Sequence, residues 1–147
     1  MAIEITICEK ADATVVQALG ELMPQLSQSA PPPTEEEITE IINHDAATLL
    51  LAREGGNILG SMTLILFPIP TGLRAWIEDV VVDENCRGRG VGEALNRRAI
   101  ELALAAGAKS IDLTSRPSRS AANRLYQRLG FVARETNIYR YEARTIE

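Results

Sequence analysis

Apolar and polar positions along the chain predict an interleaving of strands and helices. Residues 3–7 alternate apolar with polar side chains, as in a strand with one buried face. Apolar residues recur at helical spacing over 11–26, and again after Thr34, which forms the pattern of a capping box with Glu37. Further strands are predicted, in chain order, at 48–53, 58–67, 76–82, 110–114 and 137–142.

Glycine and serine residues mark where several of these elements begin and end. The segment 54–57, Glu-Gly-Gly-Asn, is typical of a tight turn between two strands. Apolar residues repeat with a period near 3.6 over 91–106, which predicts a helix. A last helix is expected to have Ser118 or Ser120 as its N-cap and to end at Gly130, after which the chain returns to a strand. We therefore expect a mixed α/β fold with helices on both faces of one sheet.

Length and composition fit one domain over residues 1–147, with 46% hydrophobic and 24% charged residues. No apolar run approaches the roughly 20 residues that span a bilayer, and the N-terminus does not resemble a secretion signal. Cys8 and Cys86 lack metal-ligand spacing. We expect a reduced, cytoplasmic setting without a metal site or a membrane. The net charge of −5 argues against nucleic-acid binding.

The stretch 79–92 reads D-V-V-V-D-E-N-C-R-G-R-G-V-G and leads into a predicted helix. Backbone amides at a helix N-terminus favour negative charge, and glycines let the backbone approach a phosphate closely. Arginine side chains add donors that match phosphate oxygens. The stretch therefore predicts binding of a diphosphate group. The residues expected to hold it are Arg87, Gly88, Arg89, Gly90, Val91 and Gly92.

Two other phosphate-binding patterns fit this turn less well. A P-loop requires a Lys-Ser/Thr pair after its last glycine, but Val91 and Gly92 follow Gly90. The dinucleotide pattern G-x-G-x-x-G has Glu93 at its third glycine position, where close packing needs a small residue. Asp112 lies at about the spacing of the ribose-binding acid, so this alternative rests on spacing alone.

The pattern R-x-x-G-x-G fits without exception, through Arg87, Gly90 and Gly92. A second stretch, 118–132, reads S-R-S-A-A-N-R-L-Y-Q-R-L-G-F-V and carries an Asn and a Tyr three residues apart on one helix face. The two stretches resemble motifs of the GNAT superfamily of acetyl-CoA-dependent N-acetyltransferases, in that family's order. The succession of strands and helices along the whole chain is also similar.

The resemblance implies a GNAT fold over 1–147, with a central mixed, mostly antiparallel sheet of about six or seven strands and about four helices on both faces. It implies acetyl-CoA as the cofactor. The backbone of one strand would then hydrogen-bond the pantetheine amides and supply an oxyanion donor. Besides the turn, the residues implied to contact the cofactor are Val80, Val81, Val82, Asn123 and Tyr126.

Acetyl transfer to an amine needs a neutral amine, an oxyanion donor and an acid for the leaving thiolate. By resemblance, Tyr126 would protonate the sulfur. Glu78 and Asp79 are the candidate bases, and because side chains alternate along a strand only one should face the cleft. The segment 76–80 resembles that of glucosamine-phosphate N-acetyltransferases, where an acid lies beside the acceptor. Proton loss through ordered water, and ion pairs at the strand edge as the acids' only role, stay open.

We expect an N-acetyltransferase that moves acetyl from acetyl-CoA to a primary amine, of a small molecule rather than a protein, by direct attack in a ternary complex. In the branch of the family that acetylates ribosomal proteins a glutamate commonly precedes the tyrosine helix, whereas here Thr114 lies near that position. The alternatives are a protein or peptide amine as acceptor, and a non-catalytic acyl-CoA-binding regulatory module. A homodimer formed through the final strands is left open.

Overall fold

The computed structural model describes residues 2–143. Its residues group into two compact units, of which the first ends at Thr114 and the second begins at Ser115. The first unit contains a sheet and three helices, and the second contains one helix. The expectation of a single domain over 1–147 stays a prediction.

The first unit is built on a five-stranded sheet with the spatial order β1-β2-β3-β4-β5. Its strands are β1 (Glu4–Ile7), β2 (Ala47–Glu54), β3 (Asn57–Ile69), β4 (Gly72–Val82) and β5 (Ser110–Asp112). The pairs from β1 to β4 are antiparallel, and β5 is parallel to β4. A mixed, mostly antiparallel sheet is therefore confirmed.

The described part of the chain contains four α-helices: α1 (Ala13–Leu26), α2 (Glu35–Asn43), α3 (Val91–Ala105) and α4 (Ser120–Leu129). The side chain of Asp12 caps α1 by accepting from the Val15 amide at 2.9 Å. The predicted capping box starts α2, with Thr34 and Glu37 each accepting from the other's amide at 3.1 Å. These caps satisfy amides that a helix start leaves unpaired, which is why the local sequence predicts both starts.

The sheet carries helices on both faces. Leu51 of β2 lies opposite Ser61 of β3, which lies opposite Val81 of β4, so the three share one face. Leu51 and Val81 belong to a core cluster with apolar residues of α1 and α2. The next position, Gly60, faces the other way, since a Cβ there would lie 3.2 Å from the Val91 side chain of α3. Thus α1 and α2 pack on one face and α3 on the other.

The expected last strand at 137–142 is wrong, and the described part of the chain has five strands rather than six or seven. No strand follows Phe131 either. Ile138, Tyr139 and Tyr141 are 65%, 87% and 93% exposed. Alternating residues form a stable strand when one face is covered and the backbone pairs with a neighbour. Neither condition holds for this segment among the described residues.

The start of α4 also differs from the expectation. Its N-cap is Arg119, which makes no side-chain capping hydrogen bond, rather than Ser118 or Ser120. Ser120 is already the first helical residue, one position too late for its hydroxyl to cap the helix. The end of the helix is as predicted, at Gly130 with a φ of 105°.

Candidate active site

One edge of β4 is paired along only part of its length. The strand pairs with β3 over most of its residues, but β5 pairs only with 74–76. The last of these pairs joins Trp76 to Asp112. Within the described part of the chain, 77–82 have no second strand beside them, so this edge of β4 is open.

The backbone groups of Val80 and Val82 are directed to the open edge. A Cβ at Gly60 would lie 2.7 Å from the carbonyl oxygen of Val81, so that carbonyl points towards β3. The amide of Asp83 also donates to a β3 carbonyl, at 2.8 Å. Successive strand residues direct their backbone groups to alternate edges. Val80 and Val82 therefore present an amide and a carbonyl each on the side away from β3.

A β-bulge interrupts β4 beside this edge. The pairs Ser61–Val81 and Thr63–Glu78 leave one residue between them on β3 and two on β4. Asp79 lies in the bulge with a φ of +52°, and no other non-glycine residue within 2–143 has a positive φ. Aspartate enters this conformation more readily than most residues because its short polar side chain bonds locally. The bulge breaks the strict alternation assumed above for the two acids.

The two candidate bases, Glu78 and Asp79, are both exposed. The indole Nε1–H of Trp76 donates to Oε1 of Glu78 at 2.7 Å. Partial desolvation raises the pKa of Asp79, and the neighbouring negative charge of Glu78 raises it further. The two carboxylates therefore differ in their surroundings, since a hydrogen-bond donor holds Glu78, whereas Asp79 is more easily protonated than an ordinary aspartate.

The turn after β4 ends at the N-terminus of α3. A 3-10 turn at Glu84–Cys86 leads to the exposed Arg87, and Gly88 and Gly90 follow with φ values of 79° and 81°. A Cβ on either glycine would meet no atom within 4 Å, so the space over the turn is open. The amide of Ala94 makes the first helical hydrogen bond, to the Gly90 carbonyl at 3.0 Å, and the amides before it have no partner within the helix. These features fit a diphosphate group.

Arg89, the second arginine of the turn, already has a partner. It forms an ion pair with Glu54, the last residue of β2. The Arg89 guanidinium lowers the pKa of Glu54 through this hydrogen bond and its positive charge. The pair links the glycine-rich turn to the hairpin between β2 and β3.

Tyr126 of the second unit is a buried residue of α4, 8% exposed. Its ring packs edge to face on Phe131, with centroids 5.9 Å apart and an interplanar angle of 73°. Burial raises the pKa of Tyr126, although the positive charge of Arg119 opposes the shift. The phenol therefore keeps its proton well above neutral pH. Asn123, three residues earlier, donates from Nδ2 to the Arg116 carbonyl at 3.0 Å.

The predicted residues fall into two groups. Residues 78–82 lie on one strand that leads through the 3-10 turn into residues 87–92, whereas Asn123 and Tyr126 belong to the second unit. Across 2–143, no helix is both long and apolar enough to cross a membrane. The same residues contain no group of three or more His, Cys, Asp or Glu placed to hold a metal ion.

Sequence reasoning missed two side-chain partners at the site. Trp76 and Glu78 are two positions apart on a strand and share one side, so their contact had a local signal. Glu54 and Arg89 are 35 residues apart, and no pattern in the sequence links them. Their proximity follows only from the way in which β2 and β4 are placed in the sheet.

Known proteins are similar to this chain over most of its length. The acetyltransferase (GNAT) family matches residues 15–131. Glucosamine 6-phosphate N-acetyltransferase of Trypanosoma brucei brucei is 31% identical over 142 residues, covering 90% of this chain and 91% of that protein. Glucosamine 6-phosphate N-acetyltransferase 1 of Oryza sativa subsp. japonica is 31% identical over 134 residues, covering 82% and 76%. The crystal structure of an acetyltransferase of Trypanosoma brucei matches with a TM-score of 0.78 at 28% identity, covering 96% of this chain and all of that one.

Two further curated relatives match over shorter stretches, and the chain covers 27% and 47% of their lengths. The family match itself includes the open edge of β4, the glycine-rich turn and α4. The expectations of a GNAT fold and of an N-acetyltransferase are thereby confirmed. The chain belongs to the acetyltransferase (GNAT) family.

Proposed function

We propose that this chain transfers the acetyl group of acetyl-CoA to the primary amine of a small molecule by direct attack in a ternary complex. The observation that carries the proposal is the open edge of β4, which runs from Glu78 and Asp79 to Val82 and is followed, after the 3-10 turn, by the glycine-rich turn. This path from the strand edge to the turn has carboxylates at one end and a site that suits a diphosphate at the other. The carboxylates suit an amine acceptor, and the turn suits an acetyl donor whose carrier is long and phosphorylated.

The residues of the chain suit acetyl-CoA along this path. The turn 87–92 would hold the pyrophosphate through its open glycines, the helix amides and the exposed Arg87. The free backbone groups of Val80 and Val82 suit the pantetheine amides, as when an extended chain adds to a sheet edge. The buried Val81 side chain anchors this segment, in which an amide would also serve as the oxyanion donor. By resemblance, Asn123 would also contact the cofactor.

When bound, acetyl-CoA would supply a thioester whose acetyl group would pass from sulfur to the amine nitrogen, leaving coenzyme A as the thiol. An alkyl amine has a pKa of about 10.4 in water, so the acceptor must lose a proton to attack. Glu78 or Asp79 takes that proton, directly or through ordered water. Tyr126 donates its phenolic proton to the departing sulfur and regains one from solvent, and burial keeps the phenol protonated at neutral pH.

Three observations support a small-molecule acceptor. The relatives of Trypanosoma and Oryza are glucosamine 6-phosphate N-acetyltransferases, and an amino sugar is a small primary amine. The exposed carboxylates of Glu78 and Asp79 favour a cationic acceptor. The resemblance argues in the same direction, because Thr114 lies where the branch acting on ribosomal proteins commonly has a glutamate.

A non-catalytic acyl-CoA-binding module is the second candidate, because it would use the same open edge and the same turn. The buried, protonated Tyr126 and the two exposed acids count against it, since a binding module needs neither an acid nor a base. The two candidates share every prediction about cofactor binding and differ only in turnover.

Thiol release from acetyl-CoA, with mass spectrometry of the products, tests the proposal. The acceptors are glucosamine 6-phosphate, an aminoglycoside, spermidine, lysine and an alanine-terminated peptide. Saturable release with one acetyl group added to a small amine is the expected result. Acetylation of the peptide alone would contradict the acceptor class. Tight acetyl-CoA binding without release for every acceptor would contradict catalysis and support the binding module.

A further inference from the structure

Trp76, the one tryptophan of the chain, contacts one of the two candidate bases. Its indole Nε1–H donates to Oε1 of Glu78 at 2.7 Å. Within residues 2–143, the side chain of Glu78 has no other hydrogen bond and no ion pair. One oxygen of the carboxylate is therefore fixed, and the other, Oε2, is left to meet a ligand.

The backbone around Trp76 is held more firmly than that around Glu78. Trp76 is paired on both sides, with Ile65 of β3 and with Asp112 of β5. Glu78 is paired on one side only, with Thr63 of β3. Trp76 is also the last residue before β5 stops pairing with β4. The indole thus belongs to the part of β4 that is paired on both sides, and it holds a carboxylate on the part that is paired on one side only.

Strand pairing fixes only one of the two acids relative to the helices. Glu78 lies opposite Thr63, which lies opposite Leu49, and Leu49 belongs to the core cluster with α1 and α2. Glu78 therefore lies on the face of the sheet that carries those two helices. Asp79 lies in the bulge, where Asp79 and Val80 together oppose Met62, so no pairing fixes Asp79 to a face of the sheet as Thr63 fixes Glu78.

We infer that Trp76 is a positioning residue that holds Glu78 on the face of α1 and α2, where Glu78 rather than Asp79 accepts the proton of the amine. The inference rests on the proposed function. A carboxylate that is already oriented loses less freedom when the acceptor binds, and a small displacement of a reacting group is costly to the rate.

Trp76→Phe removes the N–H and keeps an aromatic ring, so it is the variant that isolates the hydrogen bond. Loss of a hydrogen bond to a charged group should lower kcat/KM for the acceptor about ten- to a hundredfold. The KM for acetyl-CoA should change by less than about twofold, since the cofactor does not depend on Glu78. Arg98→Gln, which removes an exposed ion pair on α3, is the control and should leave both constants unchanged.

The decisive comparison adds Trp76→Phe to Glu78→Gln. If Trp76 acts through Glu78, the double variant is as slow as Glu78→Gln alone, because the positioned group is already lost. A further loss in the double variant would mean that Trp76 supports the strand in general, and would overturn the inference while transfer by the wild type still stood. Absence of transfer by the wild type with glucosamine 6-phosphate, an aminoglycoside, spermidine, lysine and the peptide would overturn the proposed function and the inference with it.

The contact itself is measurable without any acceptor. Since the chain has one tryptophan, a ¹⁵N–¹H NMR spectrum contains one indole N–H signal, that of Trp76. Glu78→Gln should move this signal and speed its exchange with water, because the charged acceptor is gone. Asp79→Asn should move it less. If the shift and exchange rate of the indole signal do not change in Glu78→Gln, or change more in Asp79→Asn, the assignment is overturned.

Discussion

Arg89 of the glycine-rich turn is ion-paired with Glu54, so a turn that suits an anionic ligand carries a carboxylate at one of its two arginines. A phosphate that approaches this turn meets Arg87 exposed and Arg89 already engaged. The carboxylate of Glu54 both competes for Arg89 and repels the ligand.

Glu54→Gln should therefore strengthen acetyl-CoA binding, by up to about fivefold, the size of an exposed ion pair. When Glu54→Gln is made in the Arg89→Met background, the gain in acetyl-CoA affinity should disappear, because it depends on the released guanidinium of Arg89. Isothermal titration calorimetry measures both affinities. Glu101→Gln removes the same charge from an exposed ion pair with Arg98 within α3 and serves as the control. Weaker binding by Glu54→Gln would show instead that the ion pair holds the turn in its binding shape.

Asp79 should lower stability through its charge and support it through its backbone conformation. Its pKa is raised in the folded protein, so folding disfavours the ionised form, and stability is lost as the pH rises from below about 3.9 through the raised pKa. Asp79→Asn, which tolerates a φ of +52°, should raise the melting temperature at pH 7, and the gain should vanish near pH 3.

Asp79→Ala provides the matched comparison, because it also removes the charge but strains the backbone by about 1–2 kcal/mol at this φ. It should be less stable than the Asn variant at both pH values, and Asp79→Gly should relieve that strain. Thermal denaturation followed by circular dichroism separates the four proteins. Equal melting temperatures for the Asn and Ala variants would contradict the role assigned to the bulge.

Tyr126→Phe should lower kcat about 10²- to 10⁴-fold, the range for a lost general acid, and leave acetyl-CoA affinity within about twofold. Because the pKa of Tyr126 is raised, its acid form persists, and no fall in wild-type activity below about pH 10 should trace to this residue. Tyr139→Phe, at an 87% exposed position, is the control. Undiminished turnover in Tyr126→Phe would remove this phenol from the mechanism.

The parts of the fold that sequence predicts best are those set by local interactions. Each of three confirmed features depends on residues close together in the chain. They are the Thr34–Glu37 capping box, the end of α4 at Gly130 and the helical period of apolar residues in α3. The strand expected at 137–142 failed because alternation says nothing about whether a partner covers it.

The candidate site also contains features that the local sequence predicts and features that it does not. The glycine-rich turn at a helix start is a local pattern and its conformation follows from the sequence. The bulge at Asp79 does not, because its extra residue appears only when β4 is aligned with β3. For the same reason the pairing of Glu54 with Arg89 needed the whole sheet.

Calorimetry on Gly90→Glu tests most directly whether the turn at the start of α3 holds the diphosphate of acetyl-CoA. Two unit charges 4 Å apart near a protein surface repel by about 4 kcal/mol, which corresponds to about a thousandfold loss of affinity. Gly107→Glu is matched in charge, in positive φ (89° against 81°) and in open surroundings, but lies past the other end of α3. We predict that Gly90→Glu abolishes acetyl-CoA binding while Gly107→Glu binds as the wild type does. Equal affinity in all three proteins would contradict the account.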